Sequence, residues 1–470
     1  MLLSLKHKMH FKRKITTRER AFYRSTHSNV VMVAKIKGNV SPELLRLVIR
    51  NMPKRHPLLR VRVIHDTEDN LWFTSEGVQE LQVQVIPRKS DDHWFQIFKE
   101  EYKIPFEMDK GPLIRFFLLP SSEVSELIIF CQHLICDGMS LAFLARDILI
   151  QLGDPDREIE LLPTPPVLNE ANIPSDAHPS LLKRKLMAYF INKYNKRWQS
   201  EKVFFDEEDY KNIYQIYWER NTHHNLLGEL SELETSKLVS RSRQEGVTVN
   251  TALITAFLKA KNEVQGVSRT TLQNIGQPVN IRTRLNNPPG DALGLYVAGF
   301  ELKFKYDPNK AFWEQARFIH KLVKNSLTDQ SIFERFIAVS VFDGSLFDAL
   351  PFLYYSKYIP PHFTRYKKLS ALSEQKSDIL DFLMKSLSKQ INLIVTNLGQ
   401  MDFPKNYGSL ELDSLVLLPG GGESSELTVG VVSAAGKLCY TIEHVDHVID
   451  KETGLKINAR VMEILTKAIS

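Results

Sequence analysis

Five consecutive apolar residues, Leu127, Ile128, Ile129, Phe130 and Cys131, run without interruption into Gln132-His133-Leu134-Ile135-Cys136-Asp137-Gly138 and then into an apolar-periodic segment over residues 139–152. An apolar run of strand length without alternation predicts a strand covered on both faces. The segment behind it has helical character, so the chain passes from buried strand to helix within one short turn. A strand covered on both faces needs helical layers around it, which restricts this region to a mixed α/β or α+β architecture. The same turn places a histidine at a rigid strand end and an aspartate four residues later, at the mouth of the helix. Such an arrangement can hold a neutral, oriented imidazole where two substrates meet.

A chain of 470 residues exceeds what one ordinary core serves, so two lobes are expected. The net charge of +6 is mild for this length and predicts no nucleic-acid partner. Cys131, Cys136 and Cys439 lack metal-ligand spacing and predict core thiols in a reducing compartment, with no metal site. No apolar run approaches about 18 residues, and the patch around Leu2, Leu3 and Leu5 is too short for a signal sequence. A cytoplasmic protein without a transmembrane segment is expected.

Strands and helices alternate over residues 1–165, the expected N-terminal lobe. A strand candidate starts at Asn29, and Ser41-Pro42 has the chemistry of an N-cap followed by proline in the first helical turn. Proline-rich sequence around Pro163, Pro165 and Pro166 then breaks regular structure. Residues 166–215 are read as a linker plus a basic amphipathic helix over 181–198, open to an acidic or phosphate-bearing partner, a membrane surface or plain solvent, of which a solvated face is the commonest outcome for a charge run. Residues 216–470 are the expected C-terminal lobe.

A group-transfer reaction between two substrates needs a base for the attacking group and a donor for any oxyanion that develops. A histidine with a pKa near 6.5 accepts that proton at neutral pH. His133, one of fourteen histidines, is the candidate base. Asp137, at a turn where it can meet a cation, is expected to fix the loop rather than move protons. Gly420-Gly421-Gly422 lacks a P-loop lysine and is expected to be a flexible loop. Glu443-His444-Val445-Asp446-His447 lacks a third metal ligand and is expected to be solvated.

The His133-x-x-x-Asp137-Gly138 pattern resembles the active-site motif of the superfamily that includes chloramphenicol acetyltransferase, peptide-synthetase condensation domains and alcohol acyltransferases. Other segments are similar in the same order: residues 51–60, the Pro105-Phe106 to Arg115 stretch, residues 246–253, Gln277 to Arg282, Gly294 to Val297, and Val395 to Gly399. The Asp-Phe-Gly-Trp-Gly motif of the plant BAHD branch is absent. The resemblance implies two chloramphenicol acetyltransferase-like lobes with mixed sheets, forming a V with an active-site tunnel at their interface. It implies His133 as general base, Asp137, Gly138 and Arg282 as structural residues at the active site with Arg282 the partner of Asp137, and Gln132, Thr396, Asn397 and Gly399 along the substrate channel. It further implies no bound cofactor, the acyl group arriving on coenzyme A or on the phosphopantetheine of an acyl or peptidyl carrier protein. Condensation domains usually carry a second histidine where this chain has Gln132. That departure leaves one alternative, a non-catalytic module that binds a carrier protein.

Overall fold

A computed structural model describes residues 10–163, 165–202, 204–355, 358–362 and 391–470. Two six-stranded mixed sheets carry the architecture. The first has the order Asn406–Tyr407, Leu410–Leu418, Asn29–Lys37, Val124–Gln132, Ile114–Leu119, Val83–Val85. The second has the order Val297–Tyr306, Thr271–Asn280, Leu393–Gln400, Thr428–Ala434, Lys437–Val445, His223–Leu230. A small sheet of Lys12–Lys14, Leu71–Thr74 and Arg62–His65 accompanies the first. The expected two-lobe mixed fold is the observed one.

The predicted buried strand is the heart of the first lobe. Leu127 to Cys131 are fully buried, and the helix Gly138–Gly153 packs on Asn29–Lys37 and on the helix Pro42–Asn51. Ser41 accepts a hydrogen bond from Leu44 N at 3.2 Å, as its N-cap position requires. In the second lobe the helices Val249–Val264 and Lys451–Ile469 pack against each other, closing the core beside Leu393, Val395, Val429 and Tyr440.

The chain does not divide where the sequence suggests. Leu410–Leu418, expected within a C-terminal lobe spanning 216–470, pairs antiparallel with Asn29–Lys37 and completes the first sheet. An apolar strand fits an open sheet edge of either lobe, and Asn29–Lys37 has one edge filled by Val124–Gln132 and the other vacant until this strand arrives. The helix Glu207–Arg220 likewise runs through the expected boundary at 215, begun by a capping box between Asp206 and Asp209.

Two further expectations are corrected. Gly420-Gly421-Gly422 is a packed seam: a Cβ on Gly420 (φ +76°) would lie 2.7 Å from Asn29 O, and one on Gly422 would lie 2.5 Å from His27 Nε2. Glu443 and His444 are buried, because the strand Lys437–Val445 is internal to the second sheet. Glu443 meets His223 Nδ1 at 2.7 Å, and His223 Nε2 lies 2.7 Å from the Tyr217 hydroxyl.

His27 stacks on Tyr217 at this seam, with ring centroids 5.2 Å apart. Burial, reinforced by His223 and opposed by Glu423, lowers its pKa to about 4. The folded ring therefore stays neutral while an unfolded one protonates below about 6.5, so stability falls as pH drops through that window. Denaturant midpoints at about pH 7 and about pH 5 should differ in the wild type and differ less in His27→Gln. Equal sensitivity in both proteins would assign the acid loss to other groups.

Candidate active site

The motif strand ends at Gln132, and the next residue is anchored by its backbone: His133 N donates to Ser28 O at 3.1 Å. A turn closed by Ile135 N to Gln132 O, 3.1 Å, brings Asp137 to the N-cap of the helix. The imidazole is held on two sides. His133 Nδ1 lies 2.7 Å from Cys136 O, and the ring lies 4.4 Å from that of Phe22. A carbonyl oxygen only accepts, so Nδ1 carries the proton and, in the neutral ring, Nε2 carries the lone pair. His133 borders a cavity of about 550 Å³ between the lobes. Burial pulls its pKa below the ordinary value, with Arg18 adding to the effect and the Cys136 carbonyl and Asp137 opposing it.

Asp137 does other work. Its Oδ1 accepts from Ser140 N at 2.8 Å, capping the helix. Its Oδ2 accepts from Arg282 Nη1 at 2.9 Å and from Tyr296 N at 2.8 Å. Burial pushes this carboxyl up, and Arg282 with the two backbone donors outweighs that push, so it lies below its ordinary value. Arg282 also donates from Nη2 to Ser140 Oγ at 2.7 Å, and Ser140 Oγ bonds Gly294 O at 2.8 Å. The pair is thus the centre of a buried lattice joining the motif helix to the 282–296 segment of the other lobe. Gly138 sits where its backbone nearly touches side chains of both lobes: a Cβ there would lie 3.0 Å from Leu398 Cδ2 of the second and 3.3 Å from Leu417 Cδ1 of the first.

The expected channel residues separate. Thr396 lines the cavity with His133, Asp137 and Gly138. Gln132 does not: it is 1% exposed, its Nε2 donates to Phe22 O at 2.8 Å, and its Oε1 accepts from Leu134 N. Gln132 is the last strand residue and is held inward by these bonds, whereas His133 begins the turn and reaches the cavity. Within the strand Leu393–Gln400 successive residues point to opposite faces, so with Thr396 on the cavity Asn397 turns away from it. Its Oδ1 accepts from Gly399 N at 2.8 Å and its Nδ2 reaches Asn250 Oδ1 at 3.3 Å, within an irregularity of strand pairing between Asn397 and Gln400. Gly399, at φ +79°, shapes that irregularity and does not border the cavity.

Sequence reading missed Arg18 and Phe22. Arg18 lies in the short helix Thr17–Arg20, Phe22 four residues on lies in the turn that follows it, and both face the cavity. Arg18 donates from Nη2 to Val297 O and sits 5.2 Å from the Phe336 ring, while its Nε is buried without a hydrogen-bond partner among the described residues. Burial and then Arg335 lower its pKa to about 10, which leaves it charged at neutrality. The helical i, i+4 spacing was the available signal; which side of the segment meets the cavity is set by distant chain.

The family model described as the condensation domain matches residues 13–333. The chain belongs to the condensation-domain family. Among solved structures, this condensation-domain protein is similar to the trichothecene 15-O-acetyltransferase of Fusarium sporotrichioides, with 13% identity, TM-score 0.65, and 98% of this chain and 95% of that one covered. It is also similar to polyketide synthase associated protein 5 of Mycobacterium tuberculosis, with 14% identity, TM-score 0.59, and 97% and 98% covered. These likenesses concern the fold. Surfactin synthase subunit 1 of Bacillus subtilis is 25% identical over 127 residues, which are 26% of this chain and 3% of that protein. The chain spans 2–3% of the length of the curated relatives it matches. Among the described residues no helix is long and apolar enough to cross a membrane.

Proposed function

We propose that the protein transfers an acyl group from a thioester to an alcohol or amine, with His133 as the general base. Membership of the condensation-domain family supports acyl transfer or condensation in general terms. The observation that carries the finer reading is the 2.7 Å contact between His133 Nδ1 and Cys136 O, which leaves Nε2 as the basic atom of a ring bordering the cavity. The acceptor proton moves to Nε2 as its oxygen or nitrogen attacks the thioester carbonyl. The tetrahedral intermediate then collapses, the C–S bond breaks, and the thiolate takes a proton as it leaves. Arg18, charged and with an unpaired Nε, is suited to receive the developing oxyanion or to orient the carbonyl. The donor is carried by coenzyme A or by a phosphopantetheine arm, the latter bringing an acyl or peptidyl carrier protein as partner.

Gln132, which prompted the non-catalytic alternative, supports the catalytic one when its bonds are followed. It fixes the backbone of Phe22, whose ring packs on His133. The decisive experiment incubates purified protein with acyl-coenzyme A or an acylated carrier protein and a panel of alcohols and amines, following free thiol and product mass. Acceptor-dependent thiol release supports transfer. Carrier binding without thiol release from either donor would favour the non-catalytic module.

A further inference from the structure

We propose that the helix Leu181–Glu201 docks the protein on an anionic lipid surface. One side of this helix is pinned to the body: Ile191 and Trp198 are buried, Trp198 Nε1 donates to Ser345 Oγ at 2.8 Å, and Asn195 Nδ2 donates to Val341 O at 2.8 Å. The opposite side carries apolar side chains into solvent. Leu182 is 79% exposed, Leu186 56%, Tyr189 68% and Phe190 52%. Their spacing of i, i+4, i+7 and i+8 puts them on one stripe. Helices pinned to a protein body normally bury such a stripe; here the buried stripe and the exposed one are both apolar.

The charges on the outer side select the partner. Lys185, Lys193 and Lys196 are exposed on the same side, and no Asp or Glu occurs between Leu181 and Ser200. At the flank, Lys183 pairs with Glu334 and Arg184 with Glu170, whereas those three lysines have no ion pair among the described residues. Apolar and aromatic residues interleaved with unpaired lysines on the exposed side of a helix fit the boundary between acyl chains and headgroups. The leucines and aromatic rings enter the acyl region while lysine stems extend their ammonium groups to lipid phosphates. A protein partner would require a groove shaped to this exposed stripe; a fluid interface adapts to it. The pairing is thus with a membrane surface bearing negative headgroups, and it is independent of the transfer chemistry.

Flotation of the full chain with phosphatidylcholine vesicles, with and without phosphatidylserine, tests this. Binding should be about ten-fold or more stronger with phosphatidylserine and should weaken as salt is raised. The variants Leu182→Gln/Leu186→Gln and Lys185→Gln/Lys193→Gln/Lys196→Gln should each lose most of that binding with unchanged melting temperature and unchanged turnover of a water-soluble substrate. Absence of flotation with phosphatidylserine vesicles, or equal flotation of wild type and both variants, would overturn the proposal. So would self-association through this face, seen by sedimentation as a dimer that Leu182→Gln/Leu186→Gln dissolves, or retention by an acidic carrier protein with no vesicle binding.

Discussion

Replacing His133 by Ala is expected to lower the rate of acyl transfer by about 10²–10⁴-fold, the usual contribution of a positioned general base. The melting temperature should stay close to wild type. The ring makes one side-chain hydrogen bond among the described residues, to Cys136 O, and faces a cavity rather than a filled core. A second readout separates a base from a residue that only shapes the pocket. Because burial holds the His133 pKa below its ordinary value, activity should be flat around neutrality and fall on an acid limb with a midpoint below about 6.5. The limb should vanish from the residual activity of His133→Ala. A variant with wild-type turnover, or an unchanged acid limb, would remove His133 from the mechanism.

The second large effect belongs to Arg282 and concerns stability. Arg282→Ala strands the Asp137 carboxylate in a site where both partners are buried, and loss of one member of such a pair costs about 3–5 kcal/mol. It also removes the donor to Ser140 Oγ, so the contact between the motif helix and Gly294 loosens. Denaturant unfolding should show the loss directly. Because the guanidinium acts largely through the carboxylate, Arg282→Met combined with Asp137→Asn should be less destabilised than the sum of the single variants. An Arg282→Ala protein as stable as wild type but inactive would transfer Arg282 from architecture to chemistry.

The local parts of this site were legible because their causes are local. The apolar run at 127–131, the turn and the capping aspartate each follow from residues within a few positions of one another. The partnership of Asp137 with Arg282 needed the family resemblance, since nothing near either residue specifies the other. Gln132 and Asn397 were placed along the channel by the resemblance, although the bonds of Gln132 to Phe22 O and Leu134 N hold it inside and the two-residue period that turns Thr396 to the cavity turns Asn397 away. Arg18 and Phe22 come from an arm whose placement depends on contacts with Val297 and Phe336, hundreds of residues away. The strand Leu410–Leu418 gives no sign in its own composition of which sheet it joins.

That strand has a consequence for how the chain is made. Asn29–Lys37 lies early in synthesis, yet one of its edges finds its partner only after residue 418 has been added. Throughout translation of the intervening chain, an apolar sheet edge stands without its neighbour, which is the configuration that invites pairing between nascent chains. The first lobe, although begun first, therefore stays unfinished until most of the second has also been made. A polypeptide truncated before residue 410, however carefully its boundary is drawn around the His133 motif, would carry the site on an open sheet.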